Sequence, residues 1–444
     1  MKPLVLVTGP PATRSGYGAH TRDLIHSLLR MDKFEIKINS LRWGNTPMNA
    51  LNAENPKDKL IIDRLLKENS MDRQPDIHFQ ISVPNEFTPV GKYNIGITAG
   101  IENTAPKAEW VEGLNRMDMN IAVSHFVKNT FQALVYDKLN DQQQKIGELR
   151  LVKPMEVLFE GVDLDIYKKT KDFSKELVDE MDKIEEKFLF LYTGHWLQGD
   201  LGEDRKDTGM LVKTFLETFK NKKRPPALLL KTSGATFSIL DRNSMLEKIK
   251  EIKLKVKGKL PNVYLLHGDL EDEEINELYN HPKVKAHITF THGEGFGRPL
   301  LEACFSEKPI IAPNWSGQQD FLNKNNAVLL PGNLINVHPS AVPKEMLQEG
   351  AKWFGVNYQY AGQVMFKVFK QYKQFTMAAK RLSMANKAFS LKNMDKKFEE
   401  ILNNYLPKFE EQPTPVSLKL PKLKKVSKPT EAPKINLPKL KKVK

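Results

Sequence analysis

Short apolar runs alternate with amphipathic stretches along the first third of the chain. The apolar runs that predict strands occupy residues 4–8, 35–41, 77–81, 93–98 and 120–124. After the first run comes a glycine-rich turn, and then residues 20–31 place their apolar side chains at helical spacing. Strands that alternate with helices favour a mostly parallel sheet covered on both faces. Residues 155–163 are expected to form the last strand and exit turn of this unit.

A second series of the same kind follows a charged, helix-patterned segment at 171–187. Its predicted strands occupy residues 188–193, 227–232, 263–267, 286–291 and 309–313. The pattern from 343 to 406 is helical. We therefore expect an α/β protein with two facing, Rossmann-like, doubly wound domains. Ligands in such sheets bind at the carboxyl ends of the strands, which places a site in the cleft between the domains.

Length and composition agree with two domains. We expect an N-terminal domain at 1–165 and a C-terminal domain at 166–365. Helices at 366–411 are expected to pack back across both domains, and a tail follows at 412–444. No apolar run is long enough to span a bilayer, and the five-residue apolar run near the N-terminus is too short for a secretory signal. The single cysteine, Cys304, excludes an internal disulfide and is expected to be a small core residue. These features predict a cytoplasmic protein.

The net charge of +14 is concentrated in the tail. Residues 413–444 hold ten lysines and one glutamate, so the rest of the chain is only mildly basic. The sequence LPKLKKV occurs twice there, at 420–426 and 437–443. A segment of this composition is expected to be disordered. Its charge predicts attachment to nucleic acid, to an anionic membrane surface or to a partner protein.

The candidate chemistry centres on two carboxylates, Glu294 and Glu302, that flank a glycine-rich turn. Gly295 and Gly297 allow a tight turn, and Pro299 suits the first turn of a helix, which is predicted to begin there. Both carboxylates can then face a pocket whose floor is a helix N-terminus, a place suited to phosphate. The alternative is a plain loop-to-helix junction, in which Glu302 offsets the helix dipole and Glu294 is solvated. The spacing alone does not decide between them.

Taken together, several segments resemble those of retaining glycosyltransferases of the GT-B fold, specifically glycosyltransferase family 4. Residues 294–302 match the E-x7-E signature of that family. The other matching segments, in chain order, are 102–106, 160–163, 193–196, 205–206, 267–269 and 315–317. The resemblance covers residues 3–406 and includes phage-encoded members. It implies a nucleotide-diphosphate-sugar as donor substrate, with no bound cofactor and no metal.

The resemblance also implies roles for individual residues on the donor side. Arg205 and Lys206 would stabilise the charge that develops on the departing diphosphate; the alternative is a solvated charged run. Glu294 would contact the donor sugar, and Glu302 would accept hydrogen bonds from the ribose hydroxyls. The further donor-binding candidates are Lys231 at the end of a strand, Gly16 and Gly18 in the first glycine-rich turn, and Gly295, Phe296 and Gly297, the last two through their backbone N–H groups.

On the acceptor side the candidates are Glu102, Ser124 and His125. Many family members carry a histidine where this chain has Ile101 and Glu102, and His125 has a helix-start role as its alternative. In retaining members the acceptor attacks from the face that the diphosphate leaves, and a phosphate oxygen takes the proton. No protein nucleophile is then implied. The acidic pair Asp163 and Asp165 and the acidic run 269–274 are interpreted as structural.

The sequence thus predicts a retaining hexosyl- or pentosyltransferase whose acceptor is modified DNA, a glycan or a lipid-linked glycan. One alternative is a nucleotide-sugar epimerase or a phosphorylase on the same fold. A second is a polyanion-binding protein on a degenerate GT-B scaffold. The presence of Glu294, Glu302, Arg205 and Lys206 argues against the second alternative.

Overall fold

The computed structural model describes residues 2–68, 70–234, 236–341 and 348–409. The tail predicted at 412–444, with its repeat, lies outside the described residues. Residues 2–408 form one compact unit. Two parallel sheets of six strands each make up most of this unit, with helices packed on both faces of the sheets.

The helices are α1 Gly16–Met31, α2 Pro56–Ile62, α3 Ala108–Arg116, α4 His125–Ala133, α5 Lys175–Asp182, α6 Thr208–Phe219, α7 Ile239–Leu254, α8 Asp272–Asn280, α9 Arg298–Cys304, α10 Tyr358–Lys370, α11 Lys373–Asn386 and α12 Leu391–Tyr405. The strands are β1 Leu4–Gly9, β2 Glu35–Ser40, β3 Ile77–Ile81, β4 Tyr93–Thr98, β5 Met119–Ala122, β6 Tyr136–Leu139, β7 Lys145–Leu149, β8 Met155–Val157, β9 Leu189–His195, β10 Ala227–Ser233, β11 Val263–Leu266, β12 Val284–Ile288, β13 Ile310–Pro313, β14 Val328–Leu330, β15 Gly332–Asn336 and β16 Lys352–Val356. The strands of both sheets overlap the predicted apolar runs, except that β14 was not predicted and β12 begins two residues before its predicted position.

The first sheet has the order β2-β1-β3-β4-β5-β8, with every pair parallel. Strands β1 and β3 are buried along their whole length, as expected for strands covered on both faces. The chain leaves β1 toward β2 on one side and returns to β3 on the other. The carboxyl ends of β1 and β3 therefore form a topological switch point, where ligands bind in open α/β sheets.

The second sheet has the order β11-β10-β9-β12-β13-β14, again entirely parallel. Counted within this sheet, the order is that of the Rossmann fold, with the switch point between β9 and β12. An aromatic cluster under the sheet joins Phe190 of β9 to Phe215 and Phe219 of α6, with ring centroids 6.2 Å and 6.0 Å from Phe190. This cluster is the centre of the domain core.

Two antiparallel hairpins, β6–β7 and β15–β16, were not predicted. The prediction of helix from 343 onward was wrong for residues 352–356, which form strand β16. This strand is only five residues long, and its partner β15 is mostly exposed, so neither carries the apolar run that marks a core strand. Trp353 of β16 is nevertheless buried and stacks on His292 with a centroid distance of 4.3 Å.

The C-terminal helices contact both domains. Helix α11 packs against α9, while α12 packs against α1. The rings of Phe398 on α12 and Phe79 on β3 are 5.8 Å apart, and Asp395 on α12 accepts a hydrogen bond of 2.7 Å from Arg30 on α1. The buried residues of α12 follow the spacing of an amphipathic helix: Met394, Phe398, Ile401 and Leu402. Within the described ranges, no helix combines the length and apolar character that crossing a membrane requires.

Candidate active site

The loop between β9 and α6 holds two cations, Arg205 and Lys206, at the switch point of the second sheet. Asp204 fixes the end of this loop, because its carboxylate accepts hydrogen bonds from the backbone N–H groups of Thr208 (3.0 Å) and Gly209 (3.4 Å) at the start of α6. The backbone N–H of His292, which follows β12, donates to the carbonyl of Arg205 at 2.9 Å. The loops that follow β9 and β12 are therefore tied to each other.

Each of the two cations forms an ion pair with a carboxylate in the cleft. Lys206 donates to Glu294, and Arg205 donates to Glu102 of the first domain at 2.6 Å. Burial, together with the neighbouring Arg205, lowers the pKa of Lys206 despite the pair with Glu294. Burial also disfavours the charged form of Arg205, but Glu102 and Glu294 outweigh it and raise the pKa of that guanidinium.

The 294–302 segment forms the turn that its sequence predicts. Glu294 is held through its backbone, whose N–H donates to Ser316 Oγ at 2.9 Å. A Cβ on Gly295 would lie 2.4 Å from the carbonyl oxygen of Ala99, so the absence of a side chain lets this turn touch the first domain. Gly297 has a φ of 100° at the N-cap of α9. The helix begins at Arg298, one residue before the predicted start at Pro299.

The side chain of Phe296 lies in the core, 5.2 Å from the ring of Phe321. Only its backbone could therefore contact a ligand. Within the described residues, neither the N–H of Phe296 nor that of Gly297 donates a hydrogen bond to a protein atom. These two groups remain candidate donors to a sugar or phosphate oxygen, as the sequence predicts.

Glu302 lies on α9 beside Arg298, a residue to which the sequence analysis gave no role. Arg298 Nε donates to Glu302 Oε1 at 2.8 Å, and its Nη1 donates to Asp23 on α1 at 2.5 Å. Burial raises the pKa of Glu302 to about 8, against the opposing effect of Arg298. Arg298 thus bridges Asp23 of the first domain and Glu302 of the second. The available signal was the four-residue spacing of Arg298 and Glu302, which brings two side chains together on a helix.

On the opposite wall, the turn after β1 leads into α1. Ser15 caps this helix by accepting a hydrogen bond from the N–H of Gly18 at 3.0 Å. A Cβ on Gly18 would lie 2.3 Å from the carbonyl oxygen of Thr13, whereas a Cβ on Gly16 would meet no atom within 4 Å. Gly18 is therefore needed for packing, while Gly16 faces open space at the start of a helix, where N–H groups lack intrahelical partners.

Arg14, in the same turn, links the two domains and was missed by the sequence analysis. Its guanidinium lies 3.1 Å from Asp269 and 2.7 Å from Glu271, which precede α8 of the second domain. Glu271 also forms a capping box with Glu274. The acidic run 269–274 therefore serves the helix start, as expected, and in addition holds the first domain. Asp163 likewise accepts the N–H of Asp165 within its own turn at 2.9 Å.

Lys231 lies near the end of β10, where its Nζ donates to the carbonyl oxygen of Gly268 at 2.7 Å. Burial lowers its pKa. His195 at the end of β9 faces the same region, and burial together with Arg205 and Lys206 lowers its pKa to about 4. This histidine is therefore neutral near pH 7 and adds a polar group without adding charge.

The acceptor-side candidates Ser124 and His125 lie where α4 meets the second domain. Ser124 Oγ donates to the carbonyl oxygen of Gly295 at 2.6 Å. The backbone N–H of His125 donates to Asp320 at 3.0 Å, and its Nδ1 is 3.2 Å from the same carboxylate oxygen. Glu160, which the sequence placed in a turn without a role of its own, is also buried in this region. Burial raises its pKa to about 7, with Arg298 opposing and Asp23 and Glu294 adding to the shift.

No family model matches this chain, and no curated protein matches it. Among solved structures it is similar to Anabaena HepE in complex with UDP and glucose, with 13% identity, a TM-score of 0.58, and coverage of 90% of this chain and 100% of that one. It is also similar to a glycosyltransferase from Rickettsia africae, with 18% identity, a TM-score of 0.57, and coverage of 91% and 99%. Sucrose-phosphate synthase from Thermosynechococcus elongatus gives 11% identity, a TM-score of 0.59, and coverage of 91% and 99%.

These likenesses, at low identity, concern the fold. They span nearly the whole of the compact unit and join it to proteins with two facing Rossmann-like domains. The α/β architecture predicted from the sequence is thereby confirmed: the chain has the GT-B fold, and its charged residues lie in the cleft between the two sheets.

Proposed function

We propose that this chain is a retaining glycosyltransferase of the family 4 type, which transfers a sugar from a nucleotide-diphosphate-sugar to an acceptor hydroxyl. The observation that carries the proposal is the convergence of Arg205, Lys206 and Glu294 at the switch point of the second sheet. Glu302 follows on the next helix. Two partly buried cations, each paired with a carboxylate, fit a ligand that combines phosphates with hydroxyl groups.

Arg205 and Lys206 would bind the diphosphate and stabilise its charge as the bond to the sugar breaks. Their partners in the structure are the carboxylates of Glu102 and Glu294. Phosphate oxygens would replace or share these partners, since both are oxyanions that accept hydrogen bonds from the same donors. The N–H groups of Gly16 and Tyr17 lie in the first turn of the 16-residue α1, where N–H groups lack intrahelical partners, and could bind the same group.

Glu294 would contact the sugar hydroxyls and Glu302 the ribose hydroxyls. In the reaction the anomeric carbon loses its bond to the diphosphate oxygen and gains one to the acceptor oxygen. The acceptor's proton passes to the departing phosphate. Lys231 would add positive charge at the edge of the site, and Glu102, Ser124 and His125 would lie on the acceptor side. The acceptor is an alcohol on modified DNA, a glycan or a lipid-linked glycan, in the cytoplasm of a cell or of a phage-infected host.

Thermal unfolding in the presence of UDP-, GDP- and ADP-sugars tests the proposal, because a ligand that binds only the folded state raises the midpoint. UDP-glucose is the first donor to try, since HepE was solved with UDP-glucose. We expect one base to raise the midpoint in the wild type, an Arg205→Ala variant to lose the shift, and Arg381→Ala to keep it. Arg381 is an exposed residue of α11 and serves as the matched control.

The products then distinguish glycosyl transfer from the epimerase and phosphorylase reactions that are the alternatives on this fold. A transferase releases nucleoside diphosphate and, without an acceptor, hydrolyses its donor slowly. Inversion of the sugar without release of diphosphate would identify an epimerase, and sugar 1-phosphate formed from phosphate would identify a phosphorylase. If no nucleotide-sugar stabilises the protein and none is consumed, the assignment is wrong.

A further inference from the structure

Helix α7 leaves a line of apolar side chains on the surface of the second domain. Ile239, Leu246 and Leu254 are 68%, 46% and 78% exposed. They follow one another at intervals of seven and eight residues, close to two helical turns, so they lie along one stripe of the helix. The face that packs on the domain uses other residues, namely Met245, Ile249 and Ile252. Asn243 and Lys250 lie between the three exposed aliphatic side chains, so aliphatic and polar positions alternate along the exposed side.

A cluster of cations adjoins the C-terminal end of α7. We call it the basic corner; its members are Lys220, Lys222, Lys223, Arg224, Lys253, Lys255, Lys257 and Lys259. They lie in two turns, 220–224 and 253–259, which are held together by Asn221: its N–H donates to the carbonyl of Lys259 at 2.8 Å, and its Oδ1 accepts the N–H of Lys259 at 2.9 Å. The two chain segments thus form one surface.

The basic corner is poorly neutralised. Neither of its two turns contains a carboxylate. Of its cations, Lys220 alone forms an ion pair within the described ranges, with Glu217 at 2.5 Å. Along α7 itself three carboxylates face four cations, and one of the carboxylates, Glu247, is paired with Lys250 at 3.2 Å. One of these four cations, Lys253, already belongs to the basic corner, so the excess positive charge lies at the C-terminal end of α7.

We propose that α7 and the basic corner form a docking surface for an anionic lipid bilayer. In this arrangement α7 lies in the plane of the headgroups, with Ile239, Leu246 and Leu254 inserted toward the acyl chains and the basic corner against the anionic headgroups. A bilayer uses both features, since interfacial binding combines buried apolar area with attraction of lysines and arginines to acidic lipids. Nucleic acid would use the cations but would leave three large aliphatic side chains exposed to water, and the stripe offers no aromatic ring for base stacking.

The orientation of α7 relates the surface to the cleft. The helix is about 24 Å long at 1.5 Å per residue and begins just after β10. Its N-terminal end therefore lies at the same edge of the sheet as Lys231 and the candidate active site, and its C-terminal end lies at the basic corner. Docking along α7 would hold that edge of the sheet close to the bilayer. The inference itself stands on the surface alone and does not require the proposed function.

A fluorescent probe on the stripe tests insertion in the full-length protein. The only cysteine, Cys304, is buried, and burial raises its pKa to about 12, so a new surface cysteine can be labelled selectively. We would attach an environment-sensitive fluorophore to Leu254→Cys and, as the control, to Ile146→Cys on β7, where the native side chain is 67% exposed. Vesicles of phosphatidylcholine, with and without phosphatidylglycerol, are the probes of binding.

We expect the emission at position 254 to rise and shift to shorter wavelength with phosphatidylglycerol vesicles only, and the emission at position 146 to stay unchanged. Both labelled proteins carry the same lysine-rich tail. Attachment through the tail alone would therefore change the emission at the two positions equally. No response at position 254, or an equal response at position 146, overturns the proposal.

Vesicle sedimentation with full-length variants separates the contribution of the aliphatic side chains from that of the cations. Leu246→Asp combined with Leu254→Asp, and Lys222→Glu combined with Lys223→Glu, should each lower partitioning by roughly tenfold or more relative to the matched controls Ile146→Asp and Lys138→Glu. Unchanged thermal midpoints would show that the exposed substitutions leave the fold intact. If the leucine variant binds vesicles like the wild type while the lysine variant loses affinity for a short DNA duplex, the surface serves nucleic acid and the bilayer proposal is wrong.

Discussion

Arg205 Nη1 donates a hydrogen bond to Glu102 Oε1 at 2.6 Å, and this pair joins residues from the two domains that lie 103 positions apart in the sequence. Both side chains keep some exposure, 27% for Arg205 and 22% for Glu102. Under the proposed function the same guanidinium binds the donor diphosphate. Glu102 then competes with the donor for Arg205, and its charge works against binding of a second anion.

Replacing Glu102 by glutamine should therefore tighten donor binding. The substitution keeps the shape of the side chain but removes the charge that holds Arg205. Because the ion pair is partly exposed and screened, the expected gain is modest, roughly threefold to tenfold in the donor dissociation constant. Calorimetric titration of the accepted nucleotide-sugar measures it, with Glu109→Gln on the exposed side of α3 as the control. Weaker donor binding would contradict this account, and a raised KM for the acceptor alone would place Glu102 on the acceptor side.

The Glu302→Gln variant should lower kcat/KM by roughly tenfold to a hundredfold, mainly through the KM for the donor. The substitution replaces one carboxyl oxygen, which can accept a hydrogen bond from a ribose hydroxyl, with an NH2 group that can only donate. Steady-state rates at varied donor concentration give the result, with the thermal midpoint as a check on folding. Glu400→Gln, at an exposed position of α12, should behave as the wild type. Wild-type donor use by Glu302→Gln would remove Glu302 from the site.

The triad Asp23–Arg298–Glu302 predicts a stability effect that is not additive. Arg298→Ala leaves two buried carboxylates without their cation, which should cost roughly 3 kcal/mol. Adding Glu302→Gln removes one of those acidic groups, which would otherwise have to stay buried as a charge or take up a proton, so the double variant should be more stable than Arg298→Ala alone. Thermal and urea unfolding of the four proteins in the cycle measure the coupling. Simple addition of the two single effects would show that Arg298 and Glu302 do not interact as the structure indicates.

Glu160 predicts a specific pH dependence of stability. Burial raises its pKa to about 7 from an ordinary value of 4.5, so the folded protein holds this proton more tightly than the unfolded chain does. The stabilisation is fully present below pH 4.5 and is lost as the pH rises to about 7, by roughly 3 kcal/mol. Glu160→Gln should therefore be more stable than the wild type at pH 8 and should match it near pH 4.5. Parallel stability curves for the two proteins would contradict the shift.

The parts of the fold that the sequence predicts are those with a strong local signal. Strands such as β1 and β9 are continuous apolar runs because both faces of their sheets are covered, and they lie where predicted. The turn before α9 was also predicted, since glycines and a proline specify such a turn locally. The hairpin β15–β16 was missed because its strands are short and one of them is exposed.

The contacts between the domains lie beyond what the sequence can predict. Arg14 meets Glu271 across 257 positions, and Arg298 meets Asp23 across 275. Each of these residues is unremarkable within its own segment. Their partners follow from how two folded domains pack together, which no local pattern encodes. The sequence therefore indicated which residues could bind a donor, but not that Glu102 of the first domain already holds Arg205.

Under the proposed function, Arg205 and Lys206 bind the diphosphate of a nucleotide. Calorimetric titration of wild type, Arg205→Ala and the control Arg381→Ala with UDP, GDP and ADP tests it most directly. We expect at least one nucleotide to bind the wild type and the control equally. Arg205→Ala should bind that nucleotide roughly tenfold to a hundredfold more weakly, the loss expected for a charged hydrogen bond. No binding of any nucleotide, or equal affinity in all three proteins, would contradict the account.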